Sequence, residues 1–366
     1  MSTRLFDSVR GPDSSPLIPE INWLPMLIQR AFLFSVLWAV PSWAQPADTG
    51  TAHKAAAEAL MDDNNRGAGR LACPANIGTQ PTAAPIVPNA AGRGAAKGNG
   101  KGKGKGGGRG PGGVPPREAW YAEGGKIFDN VYMLTTQTNS AFAVTTSEGI
   151  ILIDSLFEYA AQDAIVDGLK KEGLDPDDIK YVVISHAHGD HDGAVNFLQD
   201  NYDLQVVMGP KDWELAERRA DPPRHDIVAE DGMRLTLGDT TVTIYITPGH
   251  TEGTLSVLVP VKDNGEDHLA MEWGGTALNP NTSQEMLQSY ISNARRIKDI
   301  AGGRGADVIV GNHTEYNDAL NRLARTQERA PGEPNPWIVG KDEVEKYLTV
   351  VEECAKSWLA ISNGRP

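Results

Sequence analysis

The sequence predicts an α/β domain over residues 118–366, built from two packed β-sheets with helices on their outer faces. Apolar segments typical of strands occur in two groups, and helical segments follow each group. An apolar content of 40% and a charged content of 22% are ordinary for a globular protein. About 250 residues are enough for a core of this kind. Two sheets with outer helices therefore fit both the pattern and the length.

The elements are predicted in chain order. The first group opens with a hairpin, 141–146 and 149–154, followed by a helix at 159–173 with apolar residues at helical spacing. Strands at 180–185 and 204–208 flank a helix near 193–201. The second group contains strands within 235–246, 255–259, 269–271 and 306–311, and helices at 284–300, 316–327 and 341–361.

A run of histidines and an aspartate lies on a predicted strand-to-helix turn. His186 and His188 are two residues apart, so they point the same way from an extended backbone. Asp190 and His191 follow the turn at Gly189. Neutral imidazole and carboxylate are ligands that zinc accepts, and the spacing predicts two adjacent metal ions. Asp192 is predicted to cap the next helix, not to bind metal.

Two later histidines lie at ends of predicted strands. His250 stands in Pro248-Gly249-His250-Thr251, and His313 follows Gly311-Asn312. Loops at strand ends are where a rigid scaffold presents ligands. We therefore group both with the earlier run, and we predict that His225 and His268 are surface residues.

These motifs, in this order, resemble the metallo-β-lactamase superfamily over roughly residues 120–330. The resemblance implies a four-layer αββα sandwich of two mixed sheets, with a dinuclear zinc site at one edge. It assigns one Zn²⁺ to His186, His188 and His250. It assigns a second to Asp190, His191 and His313. Asp154 matches the family's acidic residue beside the metals, which supports the ligands without binding metal.

One departure from the family pattern narrows the prediction. Many members carry a Gly-Asp-Thr whose aspartate bridges the metals, whereas this chain has Gly275 at that place, within 273–277. A site without a bridging carboxylate is similar to the subclass B3 metallo-β-lactamases. With Asp190 as the one ligating carboxylate, the metal site stays positive and favours an anionic small-molecule substrate.

The resemblance implies opening of a β-lactam amide by a hydroxide held between the metals, with Asp190 as the catalytic residue that orients it and takes up its proton. Thr276 and Asn279 are predicted to hold the substrate carboxylate. Two alternatives remain. One is hydrolysis of another ester, lactone, thioester or phosphoester on the same fold. The other is a secreted, non-catalytic zinc-binding or adhesion protein.

The N-terminal region predicts export. A basic residue, the apolar run 31–40 and the small residues before Gln45 are typical of a secretory signal peptide cleaved near Ala44. Met26 is the start that would give this peptide an ordinary length, so residues 1–44 comprise an extension and the signal. A periplasmic or secreted protein without stable membrane insertion follows. A buried helix and a retained membrane anchor are the alternatives.

Residues 45–117 are predicted to be a disordered linker, rich first in Ala and Pro and then in Gly and Lys. Residues 64–117 hold nine Lys and Arg and no acidic residue, although the whole chain has a net charge of −14. That acidic excess argues against nucleic acid as a partner. Cys73 and Cys354 are the only cysteines, and they can form one disulfide if the protein is exported. The oligomeric state is not predicted.

Overall fold

The computed structural model of the chain describes residues 49–74 and 113–363, and these form two β-sheets with helices packed on their outer faces. The first sheet has seven strands in the order β1 to β7. These are β1 (Gly125–Phe128), β2 (Val131–Thr135), β3 (Ser140–Thr146), β4 (Gly149–Ile153), β5 (Ile179–Val183), β6 (Gln205–Met208) and β7 (Ile227–Val228). The pairs from β1 to β4 are antiparallel and those from β4 to β7 are parallel, so the sheet is mixed.

The second sheet has five strands in the order β12-β11-β10-β9-β8. These are β8 (Met233–Leu237), β9 (Thr240–Ile246), β10 (Leu255–Asp263), β11 (Glu266–Glu272) and β12 (Val308–Val310). Only the β11–β12 pair is parallel, and the other three pairs are antiparallel. The predicted αββα sandwich of two mixed sheets is confirmed.

Three apolar clusters separate the layers. The middle cluster joins the facing sides of the sheets, for example Phe142 and Ile151 from the first and Val257 from the second. A second cluster lies between the first sheet and its helices α3 (Asp167–Lys171), α4 (Val195–Asn201) and α5 (Pro210–Ala216). The third lies under α6 (Gln284–Gly303) and α8 (Lys341–Asn363), while α7 (Ala319–Glu328) contributes Leu323 to the middle cluster.

The predicted linker begins too early in the chain. Residues 49–74 form two helices, α1 (Thr49–Leu60) and α2 (Arg66–Ala72), and their side chains Ala57, Ala68 and Ala72 are fully buried in the cluster under α8. Small residues let these helices pack closely on their neighbours, which composition alone does not reveal. A Cβ on Gly67, for instance, would stand 1.5 Å from the Glu315 carbonyl oxygen.

Cys73 and Cys354 form a disulfide that ties the end of α2 to the middle of α8. We expected Cys73 in a mobile segment, and that expectation is wrong for the same reason: the short helix before it packs into the core. Residues 75–112 lie outside the described residues, as does the predicted signal peptide. Among the helices of residues 49–74 and 113–363, none combines the length and apolar character needed to cross a membrane.

Candidate metal centre

The six predicted ligands meet at one edge of the sandwich, on loops that follow strands of both sheets. His186, His188, Asp190 and His191 lie after β5, His250 follows β9, and His313 follows β12. Backbone pairing holds these loops together, because the Leu255 amide donates to the Ser185 carbonyl over 2.7 Å and the Ser140 amide to the Asn312 carbonyl over 2.9 Å.

The first group consists of His186, His188 and His250, whose ligand atoms all lie within 4.8 Å of one another. Nδ1 of His186 donates to the Gly274 carbonyl over 2.8 Å. Nδ1 of His250 donates to the Ala277 carbonyl over 2.6 Å. Both bonds fix the tautomer and leave Nε2 free to bind a metal. Nε2 of His250 stands 3.0 Å from Nδ1 of His188.

The second group consists of Asp190, His191 and His313, with ligand atoms again within 4.8 Å. Nδ1 of His191 donates to Asp154 Oδ2 over 2.8 Å, and its Nε2 faces Nε2 of His313 at 3.1 Å. Asp190 Oδ2 lies 3.3 Å from His191 Nε2 and 3.4 Å from His313 Nε2. One carboxylate oxygen and two imidazole nitrogens therefore point at a common centre.

Charge within the site is arranged for cation binding. Burial and the neighbouring His188 lower the pKa of His250 to about 4, and burial and the neighbouring His191 lower the pKa of His313 to about 3. Although burial opposes its charge, the carboxylates of Asp190 and Asp154 raise the pKa of His191 well above its usual value. The two carboxylates thus favour positive charge at His191, and burial favours neutral rings at His250 and His313, whose lone pairs suit a cation.

The donor set fits zinc. A group of three imidazoles and a group of one carboxylate and two imidazoles are both combinations that Zn²⁺ takes in proteins. In each group the ring nitrogens approach one another at 3.0 to 3.1 Å, and neutral lone pairs at that distance need a cation or a proton between them. Three ring nitrogens on the far side are already used by Gly274, Ala277 and Asp154.

Asp154 supports the second group from behind and has no oxygen to spare for a metal. Its Oδ1 accepts from the Ser185 amide over 2.7 Å, and its Oδ2 accepts from Ser185 Oγ and His191 Nδ1, each over 2.8 Å. The residue is fully buried, with a φ of 59°. A non-glycine residue in that region indicates a backbone held by its surroundings. The structure thus places Asp154 beside the ligands, bonded to His191 and to Ser185.

Close packing accounts for Gly275, which stands where many members of the family resembled have a bridging aspartate. A Cβ at this position would lie 2.4 Å from the His250 Cβ and 3.1 Å from the Thr254 Cγ2. Real Cβ atoms do not approach so closely, so any larger residue here would displace His250. The position of His250 therefore requires glycine at position 275, and this explains why no bridging carboxylate stands there.

Sequence reasoning missed three residues near the centre. Nδ2 of Asn139 donates to Asp190 Oδ2 over 3.1 Å. The half-buried ring of Tyr159 stacks on Phe157, and burial together with the Asp190 carboxylate raises the pKa of its hydroxyl to about 12. Glu272 is fully buried, and neither of its carboxyl oxygens has a hydrogen-bond partner within the described residues. Burial and Asp154 raise the pKa of Glu272 well above its usual value. Only the position of Asn139, just before a strand, offered a signal in the sequence.

Three other predictions need correction or comment. Thr276 is fully buried and its hydroxyl bonds to the Tyr347 hydroxyl over 2.8 Å, so it faces the core under α8 and not a substrate. Asn279 is exposed, and its backbone N–H donates to the Thr282 hydroxyl. The structure gives Asn279 no contact with the predicted ligands. Asp192 does not cap α4, because its buried carboxylate lies 2.7 Å from the Arg219 guanidinium. His225 and His268 pair with acidic residues outside both groups.

Comparison with known proteins agrees with this geometry. The family model described as the metallo-β-lactamase superfamily matches residues 134–263. The solved structure of BJP-1, a subclass B3 metallo-β-lactamase of Bradyrhizobium japonicum, is 30% identical. The match covers 64% of this chain and 93% of that one, with a TM-score of 0.55. The chain belongs to the metallo-β-lactamase superfamily.

Two further relatives have lower sequence identity to this chain. A metallo-β-lactamase from Cronobacter sakazakii is 24% identical, with a TM-score of 0.58 over 68% of this chain and 99% of that one. An N-acyl homoserine lactonase from Bacillus thuringiensis is 24% identical over 203 residues, which are 53% of this chain and 78% of the lactonase. This chain is a metal-dependent hydrolase of the superfamily, and its resemblance to the subclass B3 enzymes is confirmed.

Proposed function

We propose that the protein is a two-zinc hydrolase that opens the amide of β-lactams. The observation that carries this proposal is the pair of three-ligand groups with Gly275 packed against His250, since that packing leaves no room for a bridging carboxylate. Asp190 is then the only carboxylate ligand, and two Zn²⁺ give the site a net positive charge. A β-lactam carries a carboxylate beside its scissile amide, so this charge favours it. The similarity to a subclass B3 enzyme supports the same substrate class.

Each group of the site has a role in this reaction. When bound, the metal pair would supply an activated water and polarise the scissile carbonyl. Asp190 is both a ligand and the carboxylate of the site that would orient that water and receive its proton. Asn139 holds one oxygen of Asp190 and so orients the carboxylate. Tyr159 and Phe157 provide an apolar wall beside the second group, suited to a substrate side chain.

Hydrolysis assays test the proposal directly. Purified protein with measured zinc content is offered a penicillin, a carbapenem and an N-acyl homoserine lactone. We expect turnover of at least one β-lactam with a higher kcat/KM than the lactone, and loss of turnover after removal of zinc with a chelator. A zinc-loaded sample that cleaves no β-lactam would sink the proposal, while the fold and the ligand groups would stand.

Lactone hydrolysis is the second candidate, because curated lactonases share 24% identity with this chain over most of their length. The substrate panel above separates the two candidates, and Tyr159 tests how a lactone would be held. A lactone lacks the carboxylate that would be drawn to the metals, and its acyl chain would depend on the aromatic wall. Under this candidate Tyr159→Ala should raise KM for the lactone about tenfold. Tyr159→Phe, which keeps the ring, should not.

We further propose that the protein acts in the periplasm or outside the cell. The disulfide between Cys73 and Cys354 supports this, because disulfides persist in oxidising compartments. Fractionation of cells that express the full chain tests it. Mature protein should appear outside the cytoplasm with its N-terminus near Gln45, and unprocessed cytoplasmic protein would contradict the proposal.

A further inference from the structure

We propose that Asp212 and Arg219, named here the α5 clamp, form a positioning device that holds the first metal group in place. The inference rests on the proposed ligand assignment and adds residues that touch no ligand side chain. Asp212 lies in α5, and Arg219 lies in the turn that follows it. The clamp acts through the backbone of the residue between two histidines.

Both peptide groups of Ala187 are held by this clamp. Asp212 Oδ2 accepts from the Ala187 amide over 2.8 Å, and the Arg219 guanidinium donates to the Ala187 carbonyl over 2.8 Å. Ala187 lies between His186 and His188, so fixing its two peptide groups fixes the directions in which both side chains leave the backbone. Burying a charged group is costly unless it is hydrogen-bonded, so both charged partners are held to Ala187 by these bonds.

Asp212 also reaches the loop that carries His250. Its Oδ2 accepts from Thr251 Oγ1 over 2.8 Å, and its Oδ1 accepts from the Gly253 amide over 3.1 Å. One side chain thus ties the backbone beside His186 and His188 to the backbone beside His250. All three histidines of the first group depend on it. The described contacts of Asp212 include none to His313 or Asp190.

The approach of α5 to this loop requires two glycines. A Cβ on Gly209 would stand 2.0 Å from the Gly253 carbonyl oxygen, and a Cβ on Gly253 would stand 2.3 Å from the Asp212 amide nitrogen. Backbone therefore packs on backbone, and Asp212, with 1% of its surface exposed, is locked against the loop. The Asp212 carboxylate accepts three hydrogen bonds, two from backbone amides and one from a buried hydroxyl. Such a carboxylate is well suited to fix the distance between the two loops that it joins.

Arg219 completes the clamp by balancing charge. Its guanidinium lies 2.7 Å from the buried Asp192 carboxylate, next in sequence to His191. Asp192 and Asp212 are both buried, and Arg219 pairs with the first and acts electrostatically on the second. The side chain of Arg219 is 24% exposed, so replacing it should disturb the packing less than replacing Asp212.

The first experiment measures zinc affinity by competition with a chromogenic chelator in the parent and in Asp212→Asn. The side chain of asparagine has an NH₂ group in place of one carboxylate oxygen. This NH₂ group cannot accept the hydrogen bonds that Asp212 accepts, so at least one of the two loops loses its hydrogen bond to residue 212. We expect one of the two zinc ions to bind about 10- to 100-fold more weakly, as is typical for lost supporting partners of metal ligands. The matched control is Glu214→Gln on the same helix, where an exposed acid pairs with Lys211 and should leave both affinities unchanged.

The second experiment needs no metal. Hydrogen exchange of residues 184–193 in the metal-free protein should accelerate about tenfold in Asp212→Asn and in Arg219→Met, and stay at the parent rate in Glu214→Gln. Arg219→Met also serves if Asp212→Asn does not fold. Parent-like exchange and zinc affinity in both clamp variants would overturn the proposal. Faster exchange in the clamp variants, together with a parent protein that binds no zinc, would support the clamp and overturn the proposed function instead.

Discussion

Nε2 of His191 and Nε2 of His313 lie 3.1 Å apart, although 122 positions separate the two residues in the chain. Ring nitrogens at this distance need a positive charge between or upon them, and the neighbouring carboxylates of Asp190 and Asp154 favour such a charge by raising the pKa of His191. A metal ion in this group would be held by these two rings and the Asp190 carboxylate. The relation between these two rings therefore defines the second metal group more sharply than the sequence motif does.

Removal of His313 should cost one metal ion. We expect parent protein to contain two zinc ions per chain and His313→Ala to contain one after dialysis, because the second group falls to two ligands. Metal analysis by mass spectrometry provides the measurement. The control is His225→Ala, a histidine that stacks on Trp213 outside both groups and is 43% exposed at its side chain. Two zinc ions retained in His313→Ala would show that the ligand assignment is wrong.

Asp190→Asn separates the two roles given to this carboxylate. The substitution keeps the shape of the side chain but removes its charge and its capacity to take a proton. We expect kcat to fall about 10²- to 10⁴-fold when excess zinc keeps both groups filled. Stopped-flow hydrolysis at several zinc concentrations is the measurement. Activity recovered in full by added zinc would restrict Asp190 to metal binding.

Gly275→Ala should damage the first metal group through packing alone. The added methyl group would meet His250 at 2.4 Å, so we expect weaker zinc binding and a loss of about 1–3 kcal/mol in the free energy of unfolding. Chelator competition and urea denaturation measure the two effects. Gly303→Ala is the matched control, since nothing lies within 4 Å of a Cβ there. Parent-like zinc affinity in Gly275→Ala would contradict the explanation given for the missing aspartate.

The disulfide should contribute to stability. Cys354→Ser is expected to lower the free energy of unfolding by about 2–5 kcal/mol, because the link between Cys73 and Cys354 constrains a chain segment of 281 residues in the unfolded state. Thermal denaturation with and without a reducing agent measures it. The reductant should destabilise the parent and leave Cys354→Ser unaffected. Equal stability of parent and variant under oxidising conditions would refute the prediction.

The sequence alone determined the local parts of this protein. Strands at 149–154 and 180–185 were predicted within two residues of β4 and β5, because buried strands have apolar runs that end at turn residues. The six ligand candidates follow from the close spacing of the run 186–191 and from the order of the later motifs, which resembles the superfamily. The motif order also indicated the two-sheet sandwich. Each strand and each motif lies within a few neighbouring residues, and only the order of the motifs extends along the domain.

The tertiary structure decided what depends on distant contacts. Residues 49–74 fold as helices because α8 offers a surface for their small side chains, and no pattern within the segment shows that partner. Thr276 bonds to Tyr347, which lies 71 positions further along the chain. Gly275 leaves room for His250, which lies 25 positions earlier. No motif in the sequence around Asp212 indicates its role. A buried carboxylate acquires its role from the donors that surround it, and folding alone brings those donors together.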